Sequence, residues 1–576
     1  MNIYGDLLKI YAKGYPGGTA IYYGIDEKET WKELNDRTNS LANALWDLGI
    51  RKGDKGIVMF HNRPELLESL IALQKLGALP AALNDRFTPK EIEFQTDQSD
   101  SKVFLTEDRC LENVKKAKPN MPKVENYIAL GESGEFLNYE DLIKKYPPKE
   151  PEVKVSLNDP CAISYTGGTT GLPKGVLLTY NGFFEQTYGM IGGALKTLPQ
   201  LKIPKLKLPI PLGSIIGEVI GSDFTNNLLH RPIVQKIAAD PNLPKIMMNR
   251  IIPIVRRLMP FLGIKMLMPL PMFHIGGLLL ESNWLQFGIS LCFPKNPRFD
   301  PVEILEIIDK LKPQAITGGP TGWKKILEVP DIDKYDRSSL LLCGSAMMSF
   351  PAELKKRWFK KFPNSLIGEV FGQAETYSVI MMKVDSSAQL DKIKDKSVGS
   401  MIEGAELRIL NEKGEDVKPG ETGRIFYRSG TIMEGYYKEE EKTAKEFIEN
   451  EWFHSGDLGY LDEDGELRVV GRESDLINVG GEKIYPREIE LILESHPKVE
   501  YACLIGVSDE TYGEIPRAVI QLKKGKEATE EEIIDWCRGK MAGYKRPKSV
   551  MFAELPVNIG ESKIEKKKVM ERYGAK

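Results

Sequence analysis

Short apolar runs separated by helix-length stretches recur through the first two thirds of this chain, and that rhythm restricts its fold more than any other feature. "GIVMF" (56–60), "LPAALN" (79–84) and "KVFLTE" (102–107) alternate with helical stretches. The pattern returns at "PCAISYTGG" (160–168), "QAITGG" (314–319), "SLLLCGS" (339–345) and "SLIGEVFG" (365–372). Such alternation predicts parallel sheets with crossover helices. Residues 30–50 read as one helix, with Leu34, Leu41, Leu45 and Leu48 at near-helical spacing. From about residue 395 the pattern changes to short strands and turns, a β-rich module. After "GELRVVGRESD" (465–475) about 100 residues form a small α/β unit. Its clearest helix begins at Thr529, capped together with Glu532, and Ile533, Ile534, Cys537 and Met541 line one face.

Composition excludes several classes. The 576 residues carry a net charge of −3, which gives no reason to expect nucleic acid as a partner. Six cysteines are scattered without a C-x-x-C pair, and five histidines show no metal spacing, so neither a disulfide framework nor a zinc site is expected. The N-terminus has acidic residues and no long apolar run, and a reducing cytoplasm is the expected location. One stretch, about 187–265, is rich in Pro, Ile, Leu and Met, with eleven Lys or Arg against three acids. It is too broken to span a membrane. Three readings stay open: peripheral contact with a membrane interface, the wall of a hydrophobic pocket, or the subunit contact of a homodimer.

"YTGGTTGLPKG" (165–175) has the composition of a phosphate-wrapping loop, yet Leu172 and Pro173 separate Gly171 from Lys174. A P-loop needs Gly directly before Lys and a hydroxyl residue after it, so this is another kind of loop. Further motifs follow in order: "PLPMFHIGG" at 269, "VFGQAET" at 370, "GETGRIFYRSGTIMEGYY" at 420, "WFHSGD" at 452, "GRESDLINVGGEKIYPREIE" at 471 and a lysine at 563. Over nearly its whole length the sequence resembles the adenylate-forming superfamily of acyl-CoA synthetases, peptide-synthetase adenylation domains and beetle luciferases. The resemblance implies an α/β fold: a large N-terminal domain (1–471) of two mixed α/β sheet subdomains plus a β-rich, barrel-like subdomain, and a small mobile α+β domain (472–576).

The chemistry implied joins a carboxylic acid to ATP as acyl-AMP with release of pyrophosphate, then passes the acyl group to coenzyme A. A carboxylate and an α-phosphate ~4 Å apart repel by about 4 kcal/mol at an effective dielectric of ~20. By resemblance, Thr166, Gly167, Gly168, Thr169, Thr170, Gly171 and Lys174 hold the β- and γ-phosphates with hydroxyls, backbone N–H groups and one positive charge. Glu375, with Thr170, is the expected Mg²⁺ site, since a hard cation prefers such oxygen ligands. Phe371, within Phe371-Gly372-Gln373-Ala374, packs on adenine, and Gly344-Ser345-Ala346 covers its other face. Asp457 accepts the ribose hydroxyls, and Arg472 is the second ribose partner; a structural Asp–Arg pair is the alternative for both. His274, a lone histidine in an apolar strand, matches the "FH" of acyl- and aryl-CoA ligases, which implies a gate of the acid pocket or a neighbour of the reacting carboxylate. Peptide-synthetase adenylation domains place an Asp after that Phe, so a substrate without an α-ammonium group is expected here.

Lys563 is the expected catalytic lysine that bridges the carboxylate and α-phosphate, although six residues rather than five separate it from Pro556 and Ser562 precedes it. The hinge of the small domain falls at Ser474, beside Asp475, where relatives have Asp or Lys. Gly480 and Gly481 line the pantetheine channel; for Lys483 a CoA-phosphate contact and an ordinary solvated lysine both stay open. Acetyl-CoA synthetases close their acyl pocket with a Trp where this chain has Gly372. That difference favours a medium- to long-chain fatty acid, with Met381 and Met382 as lining or as ordinary core. Aryl or branched acids, loading of a carrier protein, and a non-catalytic ATP and fatty-acid binder remain as alternatives.

Overall fold

The computed structural model describes residues 4–132, 134–166, 173–197, 231–232, 236, 240, 243–254, 257, 262–346, 350–393, 397–449, 451–480, 482–558 and 563–574, with the side chains of 248, 249, 392, 558 and 563 outside that set. The chain divides into two compact units. One comprises 1–395, 399–405 and 429–445; the other comprises 396–398, 406–428 and 446–576.

Two large sheets build the first unit. In one, the strands Leu366–Phe371, Leu342–Ser345, Ala315–Gly318, Lys265–Leu267, Ser290–Phe293 and Thr19–Tyr23 lie side by side and parallel. Antiparallel strands Met381–Ser386 and Glu27–Thr30 flank that run. The other sheet has the parallel strands Pro160–Thr166, Leu79–Ala82, Lys55–Met59, Ser101–Glu107 and Asn126–Leu130. Every apolar run singled out in the sequence is one of these strands. The expected first helix is Trp31–Asp47, started by a capping box in which Thr30 and Glu33 satisfy each other's free N–H groups. Its Leu34, Leu41 and Leu45 are fully buried.

The second unit contains two five-stranded sheets. Glu406–Leu410, Gly423–Arg428, Trp452–Leu461, Phe447–Ile448 and Leu467–Arg472 form the first, all antiparallel. In the second, Val499–Asp509 and Gly513–Leu522 make a long hairpin, joined by Ile477–Val479, Glu482–Ile484 and Ser549–Phe552. The helix capped by Thr529 is short, Glu530–Trp536, and the Thr529 hydroxyl accepts from the Glu532 N–H. Ile533 and Cys537 are buried in its core, with Ile534 and Met541 packed against it.

Parallel sheets bring ligand-binding groups to the carboxyl ends of their strands, where the chain turns from strand to helix. The motif residues obey that rule. Thr166 ends Pro160–Thr166, Ser345 ends Leu342–Ser345, Phe371 ends Leu366–Phe371, and His274 lies seven residues past Leu267.

Candidate active site

Thr166 and Lys174 are opposite each other in an antiparallel hairpin, Pro160–Thr166 against Lys174–Thr179. The glycine-threonine loop therefore joins two strands. Gly167, Gly168, Thr169, Thr170 and Gly171 themselves lie outside the described residues.

The strand that leaves the loop is tied to Glu375 from two directions. Gly435–Tyr436 pairs with it at Leu177 and Val176, and the Tyr436 hydroxyl donates to Glu375 Oε1 at 2.9 Å. On the other side, Tyr377, two residues after Glu375, accepts from the Thr179 N–H through its hydroxyl at 2.9 Å. Tyr377 and Ser378 both have positive φ, 51° and 78°. Such backbone is uncommon for residues with side chains and persists where its surroundings hold it. Here the turn is closed by Ser378 N–H donating to the Gln373 carbonyl at 2.8 Å. Lys174 completes the group, with its ammonium 4.4 Å from the Tyr436 ring centroid. Lys174, Tyr436 and the buried carboxyl of Glu375 thus form one constellation at the mouth of the hairpin. The carboxylate oxygens of Glu375 suit a divalent cation, and Lys174 suits the phosphates that the cation would neutralise, so the residues present fit Mg²⁺.

Gly372 stands in a crowded turn. A Cβ at 372 would meet the Ser378 carbonyl oxygen at 2.5 Å and Thr376 Oγ1 at 2.8 Å. Glycine is needed for the close turn between Phe371 and Ser378. Gln373 starts the short helix that carries the buried Ala374 and Glu375. On the facing strand, the Ser345 hydroxyl accepts from Trp323 Nε1 at 3.3 Å and is buried. Its side chain serves the core, while the Ala346 N–H donates to the Gly318 carbonyl at 3.1 Å.

His274 is not within a strand. It is the N-cap of helix Ile275–Phe287, its carbonyl accepting from the Gly277 and Leu278 N–H groups. Its ring lies 4.2 Å from that of Phe273. The second glycine of "IGG" is explained by crowding, because a Cβ on Gly277 would lie 2.3 Å from the Met272 carbonyl oxygen.

In the second unit, Asp457 and Arg472 are partners across antiparallel strands, with Arg472 Nε 2.8 Å from Asp457 Oδ1. Asp457 is buried and Arg472 half-exposed, so the carboxylate is held in place by the guanidinium. Arg472 Nη1 also donates to the Ser455 carbonyl at 3.4 Å. Gly480 takes φ of +60°, the left-handed conformation that glycine tolerates best, and Gly481 lies outside the described residues. Lys483 forms an ion pair with Glu412. Lys563 is in a two-residue strand paired with Val557–Asn558, its side chain outside the described residues. Lys566 is committed elsewhere: its ammonium is 3.0 Å from Glu490 and 3.5 Å from Asp475. Burial works against that charge, but the two carboxylates outweigh it and hold the ammonium pKa above its ordinary value. Sequence reasoning missed Tyr436 and Tyr377. Both stand in or beside quoted motifs, but no spacing rule announces that residues 61 positions apart, Glu375 and Tyr436, will meet.

Comparison with known families gives the class, that of AMP-forming acid–CoA ligases. The AMP-binding enzyme profile matches residues 8–205 and 247–437, and that of the AMP-binding enzyme C-terminal domain matches 488–559. The chain belongs to the AMP-binding enzyme family. Among curated relatives it is similar to a feruloyl-CoA synthase of Amycolatopsis sp., 29% identical over 98% of this chain and 97% of that protein. A 4-coumarate–CoA ligase of Nicotiana tabacum is 28% identical over 94% of this chain and 89% of the relative. Among solved structures, an o-succinylbenzoate CoA synthetase from Bacillus subtilis, bound to its acyl-adenylate, superposes with a TM-score of 0.74. It is 25% identical, over 98% of this chain and 97% of that one.

Proposed function

We propose that this enzyme is an ATP-dependent acyl-CoA synthetase for an apolar monocarboxylic acid, and the Lys174–Tyr436–Glu375 constellation is the observation that carries the reading. Lys174 and the threonines of the loop hold the β- and γ-phosphates. Glu375 would hold Mg²⁺, whose charge would stabilise the leaving pyrophosphate. Tyr436 keeps the Glu375 carboxylate oriented. Asp457, fixed by Arg472, accepts from the ribose hydroxyls, and Phe371 with Gly344-Ser345-Ala346 frames the adenine. His274 stands beside the acid, where no carboxylate would pair an α-ammonium group. Lys563 offsets the repulsion between the two anions during adenylation, and movement about Ser474, with 1–471 and 472–576 as the moving parts, then admits CoA past Gly480 and Gly481. The ion pair with Glu412 supports a structural role for Lys483 over a CoA-phosphate contact.

The acid is drawn from two classes. The relatives named for ferulate and 4-coumarate support an arylpropenoic acid, and the apolar 187–265 stretch supports a fatty acid. With Mg-ATP, CoA and a panel of acetate, octanoate, palmitate, 4-coumarate and ferulate, AMP release that requires both CoA and one apolar acid is expected. Pyrophosphate release indifferent to CoA would instead indicate loading of a carrier protein. No release with any acid would leave only a binding protein and sink the proposal.

No helix among the described residues is long and apolar enough to cross a membrane. The 187–265 stretch nevertheless presents Ile246, Ile251 and Ile254 to solvent, with Ile254 63% exposed, beside exposed Lys245, Arg250 and Arg257. Apolar side chains interleaved with cations suit the surface of an anionic bilayer. Co-flotation with phosphatidylcholine vesicles containing phosphatidylglycerol is expected, weakened by salt and absent with phosphatidylcholine alone. A salt-insensitive dimer that ignores both vesicles would assign the patch to a subunit contact.

A further inference from the structure

The segment Met268–Met272, which leads to His274, reads Met-Pro-Leu-Pro-Met. Pro269 and Pro271 bring no N–H groups, and each favours an extended conformation in the residue before it. The chain therefore leaves the Lys265–Leu267 strand extended but short of ladder donors, with the carbonyls of Met268 and Leu270 facing a partner that must come from elsewhere. That partner is Asn62. Its Nδ2 donates to Met268 O at 3.2 Å and to Leu270 O at 2.6 Å. Its Oδ1 accepts from Met272 N–H at 2.8 Å. One primary amide thus makes three bonds along five residues, acting as a rung of a strand that the prolines forbid.

Asn62 belongs to the other sheet, just past the end of Lys55–Met59, and its neighbours keep it there. His61 donates its backbone N–H to Glu107 Oε1 at 2.9 Å. The His61 ring lies between Glu107 Oε2, 2.7 Å from Nδ1, and the Tyr23 hydroxyl, 2.9 Å from Nε2. Arg63 Nη1 reaches the same Glu107 carboxylate at 3.2 Å. Tyr23 ends a strand of the sheet that contains Lys265–Leu267, so residues 61–63 bridge the two sheets.

We propose that Asn62 is a positioning residue for acid activation, setting the place of His274 through its three bonds to Met268–Met272. The proposal rests on the reading of His274 as a neighbour of the reacting acid. Asn62→Asp keeps the acceptor for Met272 but turns a carboxylate oxygen toward two carbonyls, so the segment is pushed away while side-chain volume is conserved. Asn62→Ala removes all three bonds.

The test uses steady-state kinetics of the full chain with the acid of the above panel that releases AMP fastest. Both Asn62 variants should raise KM for the acid at least tenfold and leave KM for ATP within about twofold, the latter confirming that the ATP site is folded. His274→Ala should raise the acid KM as well, and adding Asn62→Ala to it should cost less than threefold more, because Asn62 acts through His274. Equal rises in both KM values, or effects of Asn62 and His274 that multiply, would overturn the proposal while leaving the role of His274 intact. An acid KM unmoved by His274→Ala would overturn the reading of His274 itself, and the proposal with it.

Discussion

Replacing Lys563 by alanine is expected to lower the rate of acyl-AMP formation about a thousandfold and to leave thioester formation from preformed acyl-AMP within a few-fold of the parent. The magnitude follows from the electrostatics of the first step. The carboxylate and the α-phosphate repel by about 4 kcal/mol at ~4 Å and an effective dielectric of ~20, and each ~1.4 kcal/mol of barrier is tenfold in rate. A cation bridging the two oxygens removes that cost only while both anions are present, so the second half-reaction does not need it. The rival for this role is Lys566. It is bonded to Glu490 and Asp475, and Glu490 also accepts from the Leu504 N–H. Freeing the ammonium would strand partly buried carboxylates, so Lys566→Ala should act on stability and slow both half-reactions together. Pyrophosphate exchange and single-turnover thioesterification, measured on both variants, separate the two lysines. Equal loss of the two half-reactions in Lys563→Ala would remove Lys563 from the reacting centre.

Period and punctuation made much of the fold legible. Strands such as Lys55–Met59 and Leu366–Phe371 are short and apolar enough to be read directly, and the Thr30–Glu33 capping box marks the start of its helix. The order of motifs identified the family. What the sequence did not disclose was contact between distant segments. Tyr436 and Glu375 share a hydrogen bond across 61 residues, and Asn62 reaches Met272 across 210. Neither pair has a local signature, because a side-chain bond between two distant segments leaves no periodicity in either. Gly372 shows crowding that the sequence does not announce, since the Ser378 carbonyl approaches within 2.5 Å of where a Cβ would be. His274 is the position misread, since an apolar run ending in helix can look like a strand until the N-cap is seen.

Glu281→Gln should leave stability at pH 5 near that of the parent and raise it progressively up to about pH 8, by as much as about 5 kcal/mol. Glu281 lies on the helix that His274 caps, and it is fully buried. Neither of its carboxyl oxygens has a well-formed hydrogen bond among the described residues, and burial, opposed only by the nearby Gln74 amide, pushes its pKa from 4.5 up to about 8. Tyr4, Cys161 and Tyr180 are close enough for its ionisation to raise their own pKa values. The sign follows from proton counting. Between pH 4.5 and about 8 the unfolded chain has released this proton and the folded chain has kept it, so stability falls as pH rises through that window. At ~1.4 kcal/mol for each pH unit the loss reaches about 5 kcal/mol. Glutamine is the neutral isostere and has no proton to lose, so it abolishes that slope without changing the packing of the helix. Thermal unfolding of both proteins from pH 5 to 9 reads the difference as a gap in Tm that opens with pH and stays level above about 8. A gap independent of pH would mean that Glu281 is ionised in the folded protein and that a counter-charge reaches it. The helix beginning at His274 would then owe its position to that ion pair and not to a carboxyl kept neutral by burial.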